Sequence, residues 1–199
     1  MTDTDETGID RLVAAAKAGD PEAFGALFDA YHDAVYRYVA SRVGRPSDAE
    51  DLTQIVFVKV LEALPRYEAR GVPFGGWLFR LARNTAIDHL RTRRDHVELD
   101  ALAERPDEHP GPEDLAATRQ EIEAVGTALA ELTEEQRDAI ALRFFAGLSA
   151  REAAIAMGKQ EGTVRGLQFR GIAALRRRLG LDEQPQRQDE SPGGRPHEG

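Results

Sequence analysis

The chain has 199 residues, a formal net charge of −9, 41% hydrophobic residues and no cysteine. That length allows one large or two small domains with a real core, and the missing cysteine excludes disulfides, thiolate metal sites and a cysteine nucleophile. No apolar run approaches the ~18 residues of a membrane span and the acidic N-terminus does not read as a signal peptide, so a cytoplasmic protein without membrane insertion is expected. Because the whole is acidic, any contact with nucleic acid must come from local basic patches.

Residues 1–9 carry Asp3, Asp5 and Glu6 with few apolar groups and read as a flexible acidic lead. The first folded unit is placed at 10–94. The Asp20-Pro21 pair supplies an N-cap and a first helical residue. Phe24, Leu27, Phe28, Tyr31, Val35, Tyr38 and Val39 then recur at helical spacing, until Gly44 and Pro46 break the pattern. Ser47 and Glu50 form a capping-box pair that predicts a helix over Asp48–Leu64, stopped by Pro65. Leu52, Ile55, Val56, Phe57, Val58, Val60, Leu61 and Leu64 make this helix apolar around most of its circumference. Pattern alone favours a central place in a bundle; the alternative is a surface that docks another protein.

The stretch PRYEARGVPFGGW reads as a loop, with Gly71, Pro73, Gly75 and Gly76 among the aromatics Tyr67, Phe74 and Trp77. A helix follows from Trp77. Between Arg66 and Arg94, seven arginines face Glu68 and Asp88, a net of +5. Aromatics interleaved with arginines suit single-stranded nucleic acid, where bases stack on rings and phosphates meet guanidinium groups. The plainer reading is that Phe74, Trp77, Leu78 and Leu81 are core residues, which leaves the loop tip and Asn84 as the better candidates for base contact.

From Asp95 to Thr118 eight acidic residues face Arg105 alone, with Pro106, Pro110, Gly111 and Pro112 between them. This composition predicts a semi-extended, self-repelling linker, which divides the chain into two helical units. The second unit is placed at 119–180. Leu115, Ile122, Val125, Leu129 and Leu132 mark one helix. Thr133 and Gln136 cap the next, which carries Ala139, Ile140, Leu142, Phe144 and Phe145 and ends at Gly147. A further capping box, Ser149 and Glu152, opens a short alanine-rich helix from Ala150 that Gly158 ends. Another helix follows from about Glu161, with Val164, Leu167, Gly171, Ala174 and Leu175 on one face. Two short helices crossing at a glycine turn describe a helix-turn-helix, whose second helix fits the major groove of DNA. Gln160–Leu179 carries a net +4, including Arg165 and Arg170 near the helix start, where the dipole disfavours cations. An ordinary helical hairpin with a solvated arginine face is the plainer alternative. Residues 181–199 read as a disordered tail. The fold class is therefore all-α: two small helical domains, an acidic flexible linker and a C-terminal helix-turn-helix.

No phosphate-binding glycine loop, zinc-protease motif or nucleophile elbow occurs, and His32, His89, His96, His109 and His197 lack ligand spacing. No catalytic residue, metal site or cofactor is expected.

The order of parts, and the strings DAEDLTQIVF, WLFRLARNTAIDHLR and LSAREAAIAMGKQEGTVRGLQFR, resemble bacterial RNA polymerase sigma factors of the extracytoplasmic-function (ECF) group, over about residues 10–94 and 120–179. The resemblance implies a dissociable, non-enzymatic subunit. Its first domain docks on the clamp helices of core RNA polymerase and captures the −10 promoter element as melted strand; its second reads the −35 element as duplex. Asp51, Gln54 and Ile55 then fall on the docking helix. Tyr67, Phe74, Trp77, Arg80 and Asn84 fall on the −10 surface, and Thr163, Arg165, Gly166, Phe169 and Arg170 on the −35 surface. An anti-sigma protein is implied as a further partner. Three positions depart from the family pattern. Ile55 stands where an acidic residue is frequent, Gly166 where serine is common, and Leu167-Gln168 where a basic then an apolar residue are usual; an altered −35 preference is expected. A stand-alone helix-turn-helix regulator with a helical sensor or dimer domain is the runner-up, and a pure interaction protein a third reading. The aromatic-basic loop separates the first two, since a repressor has no need of a single-strand site.

Overall fold

The computed structural model describes residues 3–69, 71–99, 127–129 and 131–181. Every regular element among them is helical. The α-helices are α1 (Asp3–Lys17), α2 (Pro21–Val43), α3 (Pro46–Ala63), α4 (Phe74–Leu99), α5 (Glu134–Ile140), α6 (Ala150–Met157) and α7 (Glu161–Arg178), with a short 3-10 helix at Leu64–Arg66 after α3 and a π-helical turn at Ala141–Phe145 after α5. The linker beyond residue 99, most of the helix expected around Leu115–Leu132, and the tail lie outside the described residues.

Local chemistry explains the boundaries. Asp20 accepts hydrogen bonds from the Glu22 and Ala23 amides at the start of α2, with Pro21 behind it. Thr133 and Gln136 cap α5 reciprocally, as Ser149 and Glu152 cap α6. Gly158 then takes the left-handed conformation, φ 64°, which turns the chain from α6 into α7.

Four expectations change. Residues 3–9 open α1 instead of forming a flexible lead; Ile9, Leu12, Val13 and Ala16 recur at helical spacing and pack against the core, and this outweighs the acidic composition. Ser47 and Glu50 do not cap α3. Its N-cap is Arg45, without a side-chain hydrogen bond, because Pro46 sets the first helical φ two residues earlier. α4 starts at Phe74, so Gly75 and Gly76 lie in its first turn, and it runs on through Leu99. Finally, α5 passes into a π-helical turn at Ala141–Phe145, where the Ala146 amide reaches back to the Ala141 carbonyl. The wider turn shifts the stripe, and Phe144 and Phe145 remain exposed.

The core begins in α2, where Val35, Tyr38 and Val39 are fully buried against α3 and α4, including Val56, Leu78 and Phe79. Burying each such side chain stabilises the fold by roughly 1.5–3 kcal/mol. The same apolar cluster continues into Ala139, Leu142, Ala153 and Val164, so the C-terminal helices pack on the N-terminal bundle. At that junction Asp138 of α5, 0% exposed, enters the N-terminal half. Its Oδ2 accepts from Arg83 Nε of α4 at 2.8 Å, and its Oδ1 lies 3.1 Å from Arg42 Nε of α2 and accepts from the Tyr38 hydroxyl at 3.3 Å. Burial, and after it the nearby Asp138, push the Tyr38 hydroxyl far above its ordinary pKa.

These contacts make two tests. Asp20→Ala should cost about 1 kcal/mol in denaturant unfolding and Ser47→Ala less than about 0.5 kcal/mol, since only the first is a cap. The Tyr38 hydroxyl stays neutral in the folded chain, while the unfolded tyrosine ionises near its ordinary value of 10. Stability should therefore be constant in this respect below that value and fall as pH rises beyond it. Tyr38→Phe should flatten the alkaline slope of the urea midpoint; an unchanged slope would show that Tyr38 titrates normally.

Candidate nucleic-acid interface

Three surfaces bring together the residues singled out in the sequence. The first is on α3. Its inner face buries Ala49, Leu52, Thr53, Val56, Phe57 and Val60. Its outer face exposes Asp51 and Gln54, with Ile55 at 43%, Val58 at 55% and Leu61 at 55% exposure. The helix is not central in the bundle. It lies at the surface with an apolar stripe at i, i+3, i+6 spacing turned to solvent, flanked by an acid and an amide. Val58 and Leu61 belong to this stripe and were hidden in a sequence that is apolar all round.

The second surface is the segment from Tyr67 to Trp77 and the start of α4. Tyr67 and Phe74 are 4% and 3% exposed, which corrects their place as base-stacking candidates: neither has a free ring face. Their rings pack edge-on with centroids 5.7 Å apart, and Trp77 lies against both, at 4.8 Å and 5.5 Å. The Tyr67 hydroxyl donates to the Val72 carbonyl at 2.7 Å, and the Lys17 ammonium of α1 donates to the Tyr67 carbonyl. Burial, then the charge of Asp10, raise the Tyr67 pKa above its ordinary value. These two aromatics hold the loop in shape. Trp77 is half-buried, while Arg80 and Asn84 are exposed one helical turn apart on α4. Of the basic residues here, Arg83 is engaged by Asp138, and Arg93 lies 3.5 Å from Asp48.

The third surface is α7. Val164, Leu167 and Gly171 face inward, and Thr163, Arg165, Phe169 and Arg170 face out, with Phe169 75% exposed. Arg165 pairs with Glu161 at 2.5 Å, an exposed i,i+4 bridge that a phosphate can displace at small cost. Gly166 leaves room for the Arg170 guanidinium, whose Nη1 would lie 3.3 Å from a Cβ there. Gln168 accepts from Arg143 Nε at 3.1 Å, and Leu167 is buried, so neither side chain points freely outward. The outward set is cationic and aromatic on a helix that a glycine turn presents away from the core. Such a set meets phosphates and base edges.

Arg42 and Asp138 were not recognised in the sequence. Arg42 continues the buried stripe of Val35, Tyr38 and Val39 by one more turn, and Asp138 sits beside the apolar Ala139 and Ile140. A charge at a core-facing position was the available signal for both. Among the described residues, no three His, Cys, Asp or Glu side chains gather as a metal site, and no helix is long and apolar enough to cross a membrane.

Comparison with known proteins agrees with this layout. Residues 27–96 match Sigma-70 region 2, and residues 128–177 match Sigma-70, region 4. The chain is 37% identical over 179 residues to the ECF RNA polymerase sigma factor BldN of Streptomyces coelicolor, covering 89% of this chain and 68% of the relative. It is 38% identical over 186 residues to the ECF RNA polymerase sigma factor ShbA of Streptomyces griseus, covering 88% and 97%. Among solved structures, CnrH in complex with the cytosolic domain of CnrY superposes with a TM-score of 0.65 at 28% identity, covering 86% and 97% of the two chains. The sigma factor RpoE of Bartonella quintana, in complex with the anti-sigma factor NepR, gives 0.63 at 27% identity, covering 80% and 98%. With both regions present in order around a shared core, the chain belongs to the ECF RNA polymerase sigma factors, the subunits that direct transcription initiation.

Proposed function

We propose that this sigma factor docks on the clamp helices of core RNA polymerase through the outer face of α3, captures the −10 element as melted strand at the 67–77 loop and α4, and reads the −35 element as duplex through α7. The observation that carries the proposal is the solvent-facing stripe of α3. An exposed apolar face of this kind marks a protein-docking surface, and the aromatic-basic loop beside it favours a polymerase subunit over a stand-alone dimeric regulator, which has no need of a single-strand site. On this reading Asp51 and Gln54 supply the polar part of the contact, and Ile55 replaces a charge with apolar area beside Val58 and Leu61. Trp77, Arg80 and Asn84 make the strand contacts, and Tyr67 and Phe74 buttress the loop from within. Thr163, Arg165, Phe169 and Arg170 meet the −35 duplex. Gly166 adds no side chain of its own but leaves space for Arg170, so the −35 preference differs from that of relatives with serine there. The acidic segment beyond α4, residues 100–118, tethers the two reading heads. The two solved neighbours in complexes, one of them with a named anti-sigma factor, support an anti-sigma partner for this chain as well.

Promoter opening is the deciding measurement. Core enzyme plus this protein should render thymines near the start site reactive to permanganate, and the protein alone should not. Asn84→Ala should reduce opening more than closed-complex binding. Tight duplex binding without polymerase, and no permanganate signal with it, would sink the assignment in favour of a repressor. Val58→Asp should weaken binding to core enzyme by about tenfold or more, with stability changed by less than about 0.5 kcal/mol, because the side chain is exposed. Arg165→Ala or Arg170→Ala should weaken −35 binding by about 1–3 kcal/mol if the residue reads a base, or lower the salt slope by about one unit if it meets a phosphate. No change in either would mean that α7 does not enter the groove.

A further inference from the structure

Arg165, Gln168, Phe169 and Ile172 recur at i, i+3, i+4 and i+7 and so share one face of α7. With Arg143 and Ser149 they line an open cleft of about 620 Å³ between α7 and the start of α6. Gln168 is partly exposed in this cleft, and its amide is not free to turn, because Oε1 accepts from Arg143 Nε at 3.1 Å. A guanidinium has donors only, so the end of the amide that faces it is the carbonyl, and the NH2 end is turned away. Arg143 is itself fixed. It lies in the π-helical turn, and its Nη1 donates to the Leu148 carbonyl in the connection to α6. Anchored at one nitrogen, its rigid fork can orient a neighbour with another. Both contacts are to neutral oxygens and leave its positive charge in place.

We propose that Arg143 is a positioning residue that sets the base preference of Gln168: it holds the amide with its NH2 end toward the major groove, so that the pair selects guanine over adenine at one position of the −35 element. The proposal rests on the reading of α7 as the duplex-reading helix and deepens it. A glutamine with both ends free pairs with adenine, accepting from N6 through its oxygen and donating to N7 through its nitrogen. Here the oxygen is engaged and sits beside a cation. An incoming amino group is repelled there, while acceptors are attracted. Guanine carries two acceptors, O6 and N7, and no donor on its major-groove edge, which matches an amide that only donates. The N6 amino group of adenine meets the engaged carbonyl and the Arg143 charge instead.

The test is selection of a randomised −35 duplex library by core enzyme carrying the full chain, then affinities for the selected element and its single base-pair variants. The wild-type protein should prefer guanine to adenine by about tenfold at one position. Gln168→Leu should abolish that preference and leave the other positions as they were. Arg143→Met releases the amide, and the preference at the same position should shift by about tenfold or more toward adenine. An Arg143 that served only the fold would weaken every sequence alike. The change of preference, with a melting curve for each variant, is therefore the deciding readout. Gln168→Glu leaves Arg143 in place and decides the matter if Arg143→Met does not fold. Its second carboxylate oxygen replaces the NH2 and should move the preference toward cytosine, whose N4 amino group donates. The proposal is overturned if Gln168→Leu changes the preference at no position, or if a folded Arg143→Met or Gln168→Glu variant still selects guanine. It is overturned equally if these variants weaken all sequences alike, as loss of a phosphate contact does. A wild-type selection that returns no −35 element removes the duplex-reading role of α7, and this proposal falls with it. A selected element whose preferences the variants leave untouched overturns this proposal alone.

Discussion

A buried carboxylate must find cations or donors, because water is not there to solvate it. Asp138 finds Arg42 and Tyr38 on α2 and Arg83 on α4, and its own helix belongs to the other half of the chain. Apolar burial would hold the halves together in many relative positions, since it is proportional to area and has no direction. Ion pairs at 2.8 Å to Arg83 on α4 and 3.1 Å to Arg42 on α2 allow one. Tyr38 and Phe79, in edge contact at 5.9 Å, fill the space beside it and keep water out. The relative placement of the two family regions thus rests on a group whose removal leaves Arg83 without this partner and Arg42 with only Glu134, 3.6 Å away.

That placement treats the three candidate surfaces unequally. The outer stripe of α3 and the outward face of α7 stay open to solvent. The loop before α4 is tied to α6 by the hydrogen bond from Arg151 to the Gly71 carbonyl, and Arg83 beside it pairs with Asp138, while Arg80 and Asn84 stay exposed.

Small side chains matter as much as charged ones in this arrangement. Gly75 and Gly76 in the first turn of α4, facing the alanine-rich α6, bring two helices within a distance that a single methyl group would disturb. In the sequence those glycines looked like loop residues, because glycine is commonest where the chain turns. Their role is steric and tertiary: they lie inside a helix and serve the helix packed against it.

The amino-acid sequence by itself determined the local events. Asp20-Pro21, Thr133-Gln136 and Ser149-Glu152 start helices because their side chains satisfy amides two or three residues away, and Gly158 turns the chain because it lacks a Cβ. The helix-turn-helix, its basic second helix and the family resemblance were legible for the same reason: they reside in short, contiguous strings. Ser47-Glu50 shows the limit even there, since Pro46 claimed the helix start first. What only the tertiary structure decided is which face of each helix meets another. Periodicity could not orient α3, apolar on all sides, and the outward turn of Ile55, Val58 and Leu61 follows from α2 and α4 covering its other face. Nor could it show that Tyr67 and Phe74 are buried, or that Arg42, Arg83 and Asp138 meet. Arg42 and Asp138 stand nearly a hundred positions apart, and their attraction exists only where folding has removed the water between them.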